Sequence, residues 1–134
     1  MWVLDPANSG DLIVALRPHA RERDFEVCWV GEGWRDIVAR CHRAIAAVFP
    51  EYELLAVKQK LGVLEFQAFP RPWERNQTRW TTEEANTLNA ITDGARLASE
   101  ETCEWCGHAA ALRDGRTLWL TLCDACDARF PDPP

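Results

Sequence analysis

Apolar side chains recur along this chain with two different periods, and the change of period divides it into elements. Trp34, Ile37, Val38, Cys41, Ile45 and Val48 stand at the spacing that lines one face of an α-helix, while Arg35, Asp36, Arg40 and Arg43 fall mainly off that face. Pro50 cannot continue the turn, so the spacing predicts a helix over 34–49. The period then drops to two. Leu55 and Val57 alternate with Ala56, Lys58 and Lys60; beyond Gly62, Leu64, Phe66 and Ala68 alternate with Glu65 and Gln67. A one-sided hairpin over 52–69 satisfies that alternation, with a tight Leu61-Gly62 turn and Lys58 opposite Glu65 as an ion pair. A third segment opens on Thr81-Thr82-Glu83-Glu84, a capping box, and Leu88, Ile91, Ala95 and Ala98 supply the buried stripe of a helix over 82–100.

The remaining segments are less regular. Residues 1–10 read as a loosely held lead-in, 11–16 as a short helix or strand, and 17–24 as a solvated charged stretch. Phe25 to Val30 has strand composition, closed by a Gly31-Glu32-Gly33 turn. The 70–80 linker has no apolar period and carries Trp73, Trp80, Arg71, Arg75 and Arg79 against Glu74. As an ordinary loop it would use Trp80 to staple the following helix; as a contact surface it would use Trp73, Arg75 and Arg79 to anchor a partner.

Cysteine spacing changes the picture most. Cys103-Glu104-Trp105-Cys106 and Cys123-Asp124-Ala125-Cys126 are both C-x2-C, sixteen residues apart. In a chain whose N-terminus lacks an export signal, that spacing reads as one structural Zn2+ held by Cys103, Cys106, Cys123 and Cys126. A redox dithiol or an iron–sulfur site shares the ligand list. Gly107 suits the turn of a metal knuckle, Arg113-Asp114-Gly115-Arg116 suits a hairpin turn, and Asp124 and Asp127 favour a short helix ended by Pro131. Knuckle, hairpin and helix make a treble clef; two knuckles would make a zinc ribbon. Cys28 and Cys41 read as small core residues, and His19, His42 and His108 as solvated.

Composition narrows the functions. With 47% hydrophobic and 27% charged residues the chain is globular rather than disordered. A formal charge of −6 disfavours a general nucleic-acid or anionic-membrane binder, and no stretch approaches a membrane span, so the expected location is cytoplasmic. Four thiolates leave zinc no open position for a nucleophile. G-x-S-x-G, H-E-x-x-H, a phosphate-cradling Gly-rich loop and the deaminase H-x-E are all missing, which leans against an enzyme. Seven tryptophans fit either core filling or a contact surface. The fold class is therefore α+β: a small antiparallel sheet packed on one or two helices over 1–101, followed by the four-cysteine element over 102–134.

Three segments in order carry a resemblance. Val30-Gly31-Glu32-Gly33-Trp34-Arg35, Val57-Lys58-Gln59-Lys60-Leu61-Gly62-Val63-Leu64-Glu65-Phe66 and Ser99…Cys103-Glu104-Trp105-Cys106-Gly107, with the second C-x2-C, resemble an uncharacterised family of small bacterial and phage proteins. That family has a C-G-D-G-W segment, a V-K-E-K-F-G-x-L-R-F hairpin and a C-terminal four-cysteine element. This chain departs from it at Val30, Glu32, Gln59, Leu61 and Glu65. The resemblance implies a phage or mobile-element setting, where small proteins often modulate host machinery or immunity. The acidic charge, the closed metal site, the tryptophan surplus and the missing catalytic motifs point to a non-enzymatic module that binds and modulates a host or defence protein complex. The alternatives are a nucleic-acid-binding accessory protein using the Arg/Trp linker, and a small-ligand-binding protein or enzyme of unrecognised type.

Overall fold

The computed structural model describes residues 2–22, 24–73 and 80–132. Its elements are α1 (Pro6–Leu16), α2 (Arg35–Val48), β1 (Glu53–Lys60), β2 (Val63–Phe69), α3 (Thr82–Ser99), β3 (Ala111–Arg113), β4 (Leu120–Leu122) and α4 (Asp124–Arg129). β1 pairs with β2 and β3 with β4, both antiparallel, so the architecture is α+β with a C-terminal cluster of four cysteines.

The lead-in is more structured than its sequence suggests. Asp5 caps α1 by accepting the Ala7 N–H, and Pro6 opens the helix where its missing N–H costs nothing. Ser9 sits at a kink, fully buried, with its hydroxyl on the Glu32 carboxylate (2.9 Å) and Arg35 Nε donating to it (3.1 Å). Leu4, Leu12 and Leu16 enter the core beside α2. Phe25 to Val30 does not form a regular strand. Trp29 makes an isolated parallel bridge to Lys58, its N–H donating to the Val57 carbonyl at 2.8 Å.

α2 follows a short 3-10 turn over Glu32–Trp34, and Trp34, Ile37, Val38, Cys41 and Ile45 are buried as the periodicity predicts. Val48 is exposed instead, and Phe49 takes the inward place because the backbone leaves helical geometry there. In the hairpin the expected alternation breaks. A register shift between Leu54 and Ala56 inserts one extra residue, so Leu54 and Val57 face the core and Leu55 does not. Gln59 continues that inward face and its Oε1 accepts the Gly62 N–H. Lys58 does lie opposite Glu65, yet Glu65 accepts from Gln67 Nε2 (2.9 Å) and no ion pair with Lys58 forms among the described residues. The Leu61-Gly62 turn has positive φ at both positions, 52° and 83°.

α3 starts on the Thr81–Glu84 capping box, reinforced by an Arg71–Glu84 ion pair, and packs on β2 and α2. Ser99, buried at its end, accepts the Leu64 N–H at 2.9 Å and so covers a donor of β2 that β1 does not use.

One further expectation is corrected. His19 and His42 are not isolated in solvent: His19 stacks on Tyr52 (4.0 Å between ring centroids), and His42 Nδ1 is 2.7 Å from the buried Tyr52 hydroxyl. The two rings meet at Tyr52, just before β1, His19 reaching it from the turn after α1 and His42 from α2. The tryptophans divide between the two readings, with Trp34 in the core, Trp2, Trp80 and Trp105 half-buried, and Trp29, Trp73 and Trp119 exposed.

Candidate metal centre

Thiols that share a metal must be brought together by backbone that also satisfies its own polar groups. Cys103 and Cys106 lie on a knuckle in which the Gly107 N–H donates to the Cys103 carbonyl (2.9 Å) and the Cys103 N–H donates to the His108 carbonyl (2.7 Å). Gly107 supplies the positive φ of 83° that turns the chain. The short β3–β4 hairpin then returns the chain, and Cys123 caps α4, its sulfur accepting the Cys126 N–H at 3.4 Å. Knuckle, hairpin, and a helix whose first turn carries the second pair is the treble-clef arrangement.

The four sulfurs lie within 4.8 Å of one another, and Cys106 Sγ and Cys123 Sγ are 3.6 Å apart. Thiolates bound tetrahedrally to zinc at about 2.3 Å stand about 3.8 Å from each other, so this donor set fits the ion with little rearrangement. None of the six cysteines is paired in a disulfide. The Cys126 N–H aimed at Cys123 draws that thiol down to about 7, toward the ionised form a metal needs. Cys28 and Cys41 belong to the other apolar cluster, and burial pushes both up to about 12. His108 Nδ1 is 3.3 Å from Cys106 Sγ on the exposed side of the knuckle.

Salt bridges brace the element. Arg113 meets Asp124 and Arg116 meets Asp127, each at 2.8 Å, joining the hairpin to α4. Trp2, Trp105 and Phe130 form a three-ring cluster with centroids 5.1 to 5.2 Å apart, and Arg129 lies over the last two rings.

The sequence reading missed how the knuckle seats on the body. The Gly33 N–H donates to the Glu104 carbonyl (2.8 Å), the Gly31 N–H to Glu104 Oε2 (3.0 Å), and Trp34 Nε1 to the Thr102 carbonyl (2.7 Å). A Cβ on Gly31 would stand 2.3 Å from the Glu104 carbonyl oxygen, and one on Gly33 2.1 Å from that of Cys103. The G-E-G segment is thus a docking face, and Glu104, only 1% exposed, is its counterpart. Burial pushes the Glu104 carboxyl up to about 7, against the stabilising Gly31 N–H.

The linker residues fare differently. Trp73 is 51% exposed, whereas Arg75 and Arg79 lie outside the described residues. Trp80 stacks on Phe69 (4.8 Å, 18° between planes), so it covers the end of β2. Other exposed apolar side chains gather where the β1–β2 turn meets the second hairpin: Leu61, Leu112 and Trp119, with a Cβ on Gly62 only 2.5 Å from Leu112 Cδ1. Among the described residues no helix is long and apolar enough to cross a membrane. Compared with protein-family models, curated proteins and solved structures, the chain gives no match in any of the three.

Proposed function

We propose that this chain is a non-enzymatic interaction module whose C-terminal element is held by one structural Zn2+ on Cys103, Cys106, Cys123 and Cys126. The observation that carries the reading is the convergence of four thiols within 4.8 Å across a knuckle and a helix start. Zinc there would be coordinatively saturated, contributing folding energy rather than an activated water. Elemental analysis of protein purified without added metal tests it: one zinc per chain is expected, and iron or no metal overturns it. Cys103→Ser should lose the zinc and the β3–α4 structure together.

A protein partner is the reading favoured for the interaction. Arg113 and Arg116 are tied to carboxylates, and the chain carries a net charge of −6, which leaves little positive field for nucleic acid. Exposed apolar groups support it: Trp73 on the linker, and Leu61 (65% exposed) with Trp119 (41%) beside the second hairpin. The resemblance supplies the proposed setting, a phage or mobile-element protein acting in the cytoplasm on a host or defence complex. Pull-down from the native host should lose its partner in Trp73→Ala or in Leu61→Ser/Trp119→Ser while the melting temperature holds. Retention of the partner by both variants would refute these surfaces, and a gel shift at physiological salt would favour nucleic acid instead.

A further inference from the structure

A cavity of about 210 Å³ opens where the metal element meets the N-terminal segment, walled by Trp2, Leu118, Leu120 and Phe130. Drug-sized ligands take pockets of about 300–1,000 Å³, so this one suits something smaller. Two charged side chains line it, and each carries a buried polar atom without a hydrogen-bond partner. Glu104 gives Oε2 to the Gly31 N–H and leaves Oε1 unmatched. Arg116 spends Nη1 on Asp127 (2.8 Å) and Nη2 on the Phe130 carbonyl (2.7 Å), leaving Nε unmatched. Of the other polar groups in the lining, Gln59 Oε1 accepts the Gly62 N–H and the Asp132 carboxylate accepts the Thr117 N–H.

An unmatched acceptor and an unmatched donor, both withdrawn from water, each cost free energy until a partner arrives. An amine alone would answer only Glu104, and a carboxylate only Arg116. We propose that the cavity binds a compact apolar α-amino acid, its ammonium on Glu104 Oε1, its carboxylate on Arg116 Nε and its side chain among Trp2, Leu118, Leu120 and Phe130. The zwitterion brings no net charge into an apolar space, and each of its charges meets the opposite one. Both atoms are closed off in the empty cavity, so binding turns each side chain toward the guest. This inference stands apart from the interaction surfaces above, because none of Leu61, Trp73 and Trp119 lines the cavity.

NMR titration of the full chain, as purified with its metal, tests it. L-leucine or L-phenylalanine should shift the Gly31 amide and the Trp2 indole N–H saturably by about 10 mM, the range of weak small-ligand sites. Isopentylamine and 4-methylpentanoate, each lacking one charged group of leucine, should bind about tenfold more weakly or worse, because each leaves one buried group unmatched. Leu118→Trp, at a partly exposed wall position, should fill the cavity and abolish the shifts with the fold and metal content unchanged. Glu104→Gln should weaken leucine binding and bring it closer to that of 4-methylpentanoate. Silence toward both amino acids, equal binding of leucine and its two analogues, or an undiminished titration of Leu118→Trp would overturn the proposal.

Discussion

Gly33→Ala probes the joint between the metal knuckle and the body with a single methyl group. That methyl would stand 2.1 Å from the Cys103 carbonyl oxygen, 2.6 Å from the Gly107 nitrogen and 2.8 Å from the Glu104 carbonyl carbon. All three are backbone atoms, so no side chain can rotate away and the knuckle must move. Overpacking of this kind costs about 1–3 kcal/mol. Moving the knuckle also stretches the Gly33–Glu104 and Gly31–Glu104 hydrogen bonds and withdraws the Thr102 carbonyl from Trp34 Nε1. Each such net loss is about 0.5–1.5 kcal/mol, more where a charged partner stays buried. The sum, about 2.5–7.5 kcal/mol, is a large fraction of a small domain's stability. Gly94→Ala is the control: a Cβ there meets nothing within 4 Å inside α3, so it should stabilise by about 0.5–1 kcal/mol. Urea unfolding followed by tryptophan fluorescence reads both. Metal content should stay unchanged in Gly33→Ala, since all four thiols lie within 103–126. A Gly33→Ala variant within about 0.5 kcal/mol of the parent, the range of ordinary surface changes, would refute the seating of the knuckle on this segment.

Other outcomes follow from packing and charge. Leu54→Ala should cost about 2–5 kcal/mol and Leu55→Ala markedly less; the reverse order in urea melts would contradict the bulge. Ile45→Ala, at a fully buried position of α2, should cost a similar 2–5 kcal/mol, and a near-neutral result would mean the helix face is misassigned. His42 is held below its ordinary value by burial first and by His19 and Arg43 next, so the folded chain favours its neutral form. The unfolded chain then takes up the proton first as pH falls through the ordinary histidine range of about 6.5, so stability is full above that range and declines below it. His42→Gln should flatten the slope of melting temperature between pH 7.5 and 6; an unchanged slope would remove His42 as its source.

Legibility of the fold followed how local each cause is. α2 and α3 could be read because helical periodicity and a capping box are written within one or two turns, and the two C-x2-C pairs because a knuckle needs its ligands close in sequence. Asp5-Pro6 was an available start signal for α1, since a side-chain cap followed by proline favours a first turn, but Asn8-Ser9-Gly10 reads as a turn of its own. Ser9 survives there because its hydroxyl is matched by Glu32 and Arg35, more than twenty residues away. The bulge at Leu54–Ala56 escaped for a related reason. Alternation gives the face of each residue only while the count stays even; Val57 keeps the inward face read for it, and the one inserted residue moves the preceding inward position from Leu55 to Leu54.

Gly31 and Gly33 show where local reading runs out. Neither has positive φ, so neither is glycine for the sake of a turn. What excludes a side chain at both positions is the backbone of residues 103–107, about seventy positions further along. The same contact explains why a glutamate stands between the first two cysteines. Its carbonyl and one carboxylate oxygen take the two glycine N–H groups, which binds the metal element to the body through backbone donors. Its other oxygen is buried beside the cavity that Trp2 walls, without a hydrogen-bond partner among the described residues. One residue therefore carries two demands, and among the described residues only the first is met by a hydrogen bond. Buried carboxylate oxygens are costly to leave unmatched, so the second demand points outward, to something the cavity takes in.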